Sequence, residues 1–276
     1  MEAEIRITKE DLERAVPAAK EAKGYIFNRL KDKIDEAIQD IAVDMLGAVG
    51  IAAVNASPHG QLAHTVMDLA SVDVFLHEMR GLDLVLTDTG FGIVSTNNTA
   101  PASKIRVDAL DGELRVKMLD VHERLMKMCF SLDGWYQQGL VIIDTLFCFF
   151  SCLKRFAGYQ QPLAKDWAEA TPKILSADRF LREKISDEFM DELIGKMATN
   201  SLSADEKGVV HQIRRTIGVS VIGDQNTFYE YYRRLMNTIE GNLEAFPTYA
   251  ASDTYLLNHA KPYENRQEDS AFHFVG

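Results

Sequence analysis

The sequence is poor in features that define several common classes of protein. It has only three cysteines in 276 residues, Cys129, Cys148 and Cys152, and an odd, irregularly spaced set does not indicate a disulfide framework. No further cysteine or histidine stands near them at ligand spacing, so a zinc site is not expected. The thiols are expected to be buried and reduced.

The sequence also lacks an excess of positive charge and a long apolar run. Its formal net charge is −11 and its pI is about 5.1, so phosphate backbones repel the chain as a whole and tight general nucleic-acid binding is not expected. The most apolar run, Leu140–Leu153, contains Asp144 and is shorter than the ~20 residues that span a bilayer. It predicts a buried core helix and no membrane partner. The N-terminal residues are charged and amphipathic, so no signal peptide is expected.

Motifs for common reactions are missing as well. The stretch Gly90–Gly92 lacks the third glycine, the lysine and the strand–helix context of a phosphate-binding loop. Neither a His-Glu-x-x-His pair nor a Gly-x-Ser-x-Gly elbow occurs in the sequence. His64–Asp68 and Asp73–His77 have i,i+4 spacing but lie half a turn out of phase, which favours surface pairs over a metal site. We therefore expect no catalytic residue, no cofactor, no metal and no enzymatic activity.

Helical patterns fill most of the sequence. Thr8 is placed to cap a first helix, with Asp11 three residues on, and Ser203 and Glu206 form a capping box further along. Amphipathic spacing predicts helices at 27–47, 65–80, 101–132, 176–197, 203–223 and 227–242. Residues 157–173 contain two prolines and are predicted to be a linker-like break. The nearly heptad spacing in 101–132 fits a bundle helix within the chain or a coiled contact between subunits.

One short segment departs from the helical pattern. Leu84–Leu86 and Ile93–Val94 are β-formers, and Asp88–Gly90 between them supplies a turn. Two strands alone are marginally stable in water, so this ribbon must pack on a helix or pair with another chain.

The predicted fold is mainly α, a helical bundle with one β-hairpin and an extended C-terminal arm. Residues 1–160 form an N-terminal helical module with the hairpin at about 84–95. Residues 161–276 form a C-terminal helical module with an extended aromatic tail at about 245–276. A faint similarity between residues 27–46 and 174–193 is consistent with two related modules.

Two sets of candidate functional residues follow. Candidate contacts with other subunits or with a partner are apolar residues of the hairpin and aromatic residues of the tail: Leu84, Leu86, Phe91, Ile93, Phe246, Tyr249, Tyr255, Tyr263, Phe272 and Phe274. The second set is basic and comprises Arg214, Arg215, Arg233 and Arg234. With neighbouring tyrosines these arginines fit a nucleic-acid strand, or else solvated helix flanks and salt bridges between subunits.

The segment from Leu84 to Leu110 resembles part of a poorly characterised family encoded in tailed phages and prophages of gut bacteria. The matching positions are Thr87, Gly90, Phe91, Gly92, Ile93, Val94, Ser95, Asn97, Ala100, Pro101, Ala102, Ser103, Lys104, Arg106 and Val107. A second match lies in the tail, at Phe246, Pro247, Tyr249, Ser252, Tyr255, Asn265, Phe272 and Phe274. Residues 273 and 275–276 depart from the aromatic ending of that family.

The resemblance implies a virion protein that resembles phage head–tail connectors, or adaptors. Such a subunit assembles in a ring, commonly of twelve copies, which docks on the portal protein and meets tail or head-closure proteins. Its place is the neck of the virion, after assembly in the host cytoplasm, with transient contact with passing DNA. The alternatives are a tail terminator or head-completion protein, a non-viral helical interaction module, and an enzyme with an unrecognised site.

Overall fold

The computed structural model describes residues 2–20, 25–82, 84–87, 90–93, 104–138 and 143–260. The chain is mainly helical, which confirms the predicted class. The helices of the first half are α1 (Lys9–Ala15), α2 (Tyr25–Ile41), α3 (Gly47–Ala56), α4 (Gln61–Glu78), α5 (Lys104–Cys129) and α6 (Ser151–Phe156). Those of the second half are α7 (Ala164–Lys184), α8 (Asp187–Ala198), α9 (Ala204–Ile222), α10 (Gln225–Glu240), α11 (Pro247–Ala250) and α12 (Asp253–Asn258).

Helix α4 is the centre of the first half. It packs against α1, α2 and α5, and the apolar stripe of α5 contributes the buried residues Leu114, Val121 and Leu125 to this core. The predicted start of α1 is confirmed, because the Thr8 hydroxyl accepts from the Asp11 amide and the Asp11 carboxylate accepts from the Thr8 amide. Burial of this apolar surface is the main source of stability for the helices.

Helix α9 is the centre of the second half. It packs against α6, α7 and α10, and the Ser203–Glu206 capping box at its start is confirmed. At Gly218 it lies close to the end of α6, because a Cβ atom there would lie 2.9 Å from the Cβ of Phe156 and closer still to its backbone carbonyl. Helix α6 thus belongs to the first half in sequence but packs on a helix of the second half.

Two short strands lie between α4 and α5. β1 (Leu84–Thr87) and β2 (Gly90–Ile93) pair antiparallel, with Leu84 opposite Ile93 and Leu86 opposite Phe91. Among the described elements, neither strand makes an extensive contact with a helix.

The helical run Tyr25–Ala56 comprises α2, one π-helical turn and α3. By length and composition alone it could cross a membrane, and it is the one such helix in the described ranges. Its α2 part packs on α4 with Leu30, Ile34 and Ile38 fully buried, and it carries several acidic residues. These are features of an amphipathic core helix.

Two predictions about the middle of the chain are wrong. Within the described residues of the core helix predicted from Leu140, helix occurs only over α6, and residues 143–150 form irregular turns. Most residues of these turns are nevertheless buried. Buried backbone groups need hydrogen-bond partners, and here Thr145 accepts from the Phe147 amide and Arg214 donates to the Leu146 carbonyl. The predicted linker at 157–173 is half helix, since α7 begins at Ala164 and continues through Pro172.

The prediction of an extended tail from residue 245 is also wrong over its described part. α11 and α12 lie there, with Pro247 at the first position of α11 and the Ser252 hydroxyl capping α12. Proline suits that position because the first turn needs no amide donor. Residues 261–276 lie outside the described part of the chain.

Candidate functional site

The predicted contact residues of the hairpin share one side of the ribbon. Alternate positions of a strand belong to the same face, and residues directly opposite each other in the ladder do too. Leu84, Leu86, Phe91 and Ile93 therefore occupy one face, and Val85, Thr87 and two glycines occupy the other. This arrangement concentrates the larger apolar residues on a single face.

The predicted contact residues of the tail divide into three groups. Phe246 and Tyr249 are buried inside the chain, 2% and 0% exposed, and their rings lie 5.6 Å and 6.0 Å from the ring of Phe189 in α8. As surface contacts these two are a wrong prediction, because α11 packs them into the core. Tyr255 is half-buried between Tyr249 and His259. Tyr263, Phe272 and Phe274 lie outside the described residues.

The four predicted arginines have different environments. Arg214 is half-buried; its Nε donates to the Leu146 carbonyl and its guanidinium lies over the Phe149 ring. Arg234 forms an ion pair with Glu230. Arg233 is exposed on α10. Arg215 is exposed and its guanidinium lies 4.6 Å from the centre of the Tyr231 ring. Arg214 and Arg234 are therefore engaged within the chain.

Arg215 lines a concave surface that we call the basic cleft. It has a volume of about 380 Å³ and is lined by Arg155, Phe156, Gly158, His211, Arg215, Val219, Ile222 and Tyr231. The Arg155 guanidinium lies 5.4 Å from the centre of the Phe156 ring, and the His211 ring meets that ring edge-on at 5.2 Å. Three elements therefore supply the cleft: the end of α6, the middle of α9 and α10.

The electrostatics of the basic cleft are dominated by positive charge. Partial burial and the charges of Arg155, Arg215 and Arg214 lower the pKa of His211. In the described part of the chain, neither Arg155 nor Arg215 forms a salt bridge with a carboxylate. His211 was not predicted from the sequence, although its i,i+4 spacing from Lys207 and Arg215 was visible there.

A second cavity is apolar and lies between the two halves. Its volume is about 340 Å³, and its lining includes Leu69, Met118, Phe150 and Trp167. Cys148 also lines it, but burial raises the pKa of this thiol to about 12. A thiol with such a pKa is not a nucleophile at neutral pH. The carboxylate of Glu123 at the cavity wall accepts hydrogen bonds from Lys127 and from the Ser151 hydroxyl, so its oxygens already have partners within the chain.

The histidines of the two predicted pairs each lie near a carboxylate, but only one pair forms as predicted. His77 lies 3.5 Å from the Asp73 carboxylate, as predicted, whereas His64 lies 3.6 Å from Asp11 and Asp68 pairs with Arg14. No group of three or more metal-ligating side chains occurs in the ranges that the structure describes. The three cysteines are free thiols.

Comparison with known proteins gives one match. Residues 58–130, about a quarter of the chain, are similar to a family of unknown function (DUF6712). The matched segment spans the whole of α4, β1, β2 and α5, and it contains the segment from Leu84 to Leu110. No curated protein matches the chain. No solved structure matches it either.

Proposed function

We propose that this chain is a structural subunit of a phage virion, a head–tail adaptor that assembles in a ring of about twelve copies under the portal. In this role it joins the DNA-filled head to the tail or head-closure proteins. It acts through contacts and not through catalysis. Its place is the virion neck, reached after assembly in the host cytoplasm.

The observation that carries the proposal is the hairpin between α4 and α5. Its register gathers Leu84, Leu86, Phe91 and Ile93 on one face, and it makes no extensive contact with a described helix. A two-stranded ribbon of this kind is marginal by itself, so it is stabilised when its apolar face docks on another surface. A neighbouring subunit offers that surface in every position of a head-to-tail ring. The resemblance of the same segment to a poorly characterised family of tailed phages and prophages supports this reading.

A matched pair of double variants on β1 tests the proposal. Leu84→Asp with Leu86→Asp places two charges on the apolar face, and Val85→Asp with Thr87→Asp places two on the opposite face. The assembly state of the full chain is measured by mass photometry, alone and with the portal protein of the same phage. We expect closed rings for the wild type and for the opposite-face variant, and monomers of unchanged unfolding free energy for the apolar-face variant.

Two results would contradict the proposal. One is rings that persist in the variant of Leu84 and Leu86, because the apolar face would then not be the contact. The other is a wild-type chain that forms no ring with the portal present.

A further inference from the structure

We propose that the basic cleft is a binding site for the phosphate backbone of a nucleic acid. This goes beyond the proposed ring function and does not depend on it, because the cleft is built from α6, α9 and α10 and the hairpin takes no part in it. The inference rests on cationic groups without an acidic partner, on a row of basic residues that ends in the cleft, and on the contacts that the aromatic rings already make.

The first observation is cationic groups that are held in position without an acidic partner. The Arg155 and Arg215 guanidiniums lie over the rings of Phe156 and Tyr231, at 5.4 Å and 4.6 Å. A guanidinium stacked on a ring keeps its N–H edge free, and that edge fits the oxygens of a phosphate. The close contact of Gly218 with the end of α6 brings Arg155 beside α9. The chain therefore concentrates positive charge here despite its net charge of −11.

The second observation is a row of groups along α9 that leads out of the cleft. Lys207, His211 and Arg215 are all exposed and follow one another at i,i+4 spacing. Since an α-helix rises about 1.5 Å per residue, this row is about 12 Å long. A nucleic-acid strand carries one phosphate per about 3.4 Å of helix axis, so a linear polyanion matches a row of this length better than one carboxylate does.

The third observation excludes recognition of bases by stacking in the cleft. Two guanidiniums already lie over the Tyr231 ring. That of Arg215 is nearer, and that of Arg234 lies 5.7 Å from the ring centre. The Phe156 ring has Arg155 over it and His211 at 5.2 Å. Base stacking needs a free aromatic face. Binding is therefore expected through phosphates and without sequence preference.

The test is a binding measurement on the full chain. Fluorescence anisotropy is recorded with a labelled DNA strand of about 20 nucleotides and with its duplex, from about 50 to 200 mM salt. The test variant is Arg155→Glu with Arg215→Glu. The matched control is Lys165→Glu with Arg179→Glu, which changes the net charge equally at two exposed basic residues that do not line the cleft.

We expect the wild-type chain to bind, the cleft variant to bind at least tenfold more weakly at low salt, and the control to stay within about twofold. Replacing Arg155 and Arg215 by alanine should reduce the slope of log K against log salt by about two, because two phosphate contacts are lost. Comparison of strand and duplex shows which form the cleft takes.

Three results would overturn the inference. The first is no binding of either DNA at low salt, and the second is an equal loss in the control, which would indicate unspecific attraction. The third is a cleft variant that changes only the self-association of the chain, measured by sedimentation. That result would mean that the cleft binds carboxylates of a second copy. If the cleft variant unfolds, ultraviolet cross-linking of the wild-type chain to the same DNA tests the inference instead. The inference requires that the cross-linked peptides come from α6, α9 or α10.

Discussion

At the scale of single residues, Glu123 caps the start of α6, a helix that is distant from it in sequence. Helix α6 has no side-chain cap of its own, and the Glu123 carboxylate on α5 accepts from the Ser151 amide at 2.9 Å and from the Ser151 hydroxyl at 2.6 Å. Lys127 forms an ion pair with the same carboxylate. Burial acts to raise the pKa of Glu123, but these bonds outweigh it and hold the pKa below its ordinary value.

We expect Glu123→Gln to lower the free energy of unfolding by about 1–3 kcal/mol at pH 7, because charge-assisted bonds to the start of α6 are lost. A carboxyl whose folded pKa is depressed stabilises the fold fully above its unfolded pKa, and this contribution is lost as pH falls through the folded pKa. The difference in unfolding free energy between wild type and variant should therefore be full above about pH 4.5 and should shrink as the pH falls through the lower pKa of the folded protein. Urea unfolding at pH 7 and pH 3 measures it, and a gap that does not change with pH would contradict the assignment.

Gly218 is a second residue whose role depends on a distant contact. We expect Gly218→Ala to destabilise the chain by about 1–3 kcal/mol, because its methyl group would overlap the end of α6. Gly208→Ala on the same helix is the control, since a Cβ there meets nothing within 4 Å and alanine should stabilise by about 0.5–1 kcal/mol. Thermal unfolding compares the two. Equal effects of both substitutions would show that α6 and α9 do not approach closely.

At the scale of elements, periodic patterns predict a helix well where one face is apolar. Helix α5 lies at 104–129 inside the predicted 101–132, because its spacing provides one continuous stripe for α4. The segment at 143–150 defeats this reasoning, since it is largely apolar without a helical period and part of its backbone is satisfied by a distant group, Arg214. Apolar runs of this kind do not distinguish a helix from other buried structure.

Proline shows the same limit of local reasoning. Pro172 argued for a break, and a proline inside a helix costs about 3 kcal/mol. Ile174, Ala177 and Leu181 follow it and are buried where α7 packs on α9, and this burial offsets the cost. The basic cleft could be predicted from the sequence only in part, because it depends on a contact between distant segments. Arg215 was a candidate, but the cleft also needs the contact of α6 with α9.

The short helices after residue 245 lead to a prediction about the tail. We expect Phe246→Ala and Tyr249→Ala each to lower the unfolding free energy by about 3–5 kcal/mol, because both rings are buried against α8. Leu257→Ala, at a side chain that is 76% exposed, should change it by less than about 0.5 kcal/mol. Urea unfolding of the three variants checks this. A stable Phe246→Ala chain that fails to assemble would instead return Phe246 to the contact surface.

At the scale of the whole molecule, the chain carries two surfaces of different character. The paired strands β1 and β2 lie in the first half, and their register places four apolar residues at positions of one face. The basic cleft lies on α6, α9 and α10 and is positively charged. A subunit of a head-to-tail ring needs two unlike surfaces that meet its neighbours, and a third surface remains for what the ring encloses or docks on. The proposed function assigns the hairpin to the contact with a neighbouring subunit. The basic cleft is not needed for that contact and is available for another role.

The most direct test of the proposed function is the copy number of this chain in virus particles. Purified particles from a lysate that carries its gene are digested, and quantitative mass spectrometry counts this chain against the major capsid protein. A neck subunit should be present at a low and fixed number, on the order of a dozen copies per particle. Absence of the chain from particles would contradict the account and would return the non-viral interaction module and the enzyme to consideration.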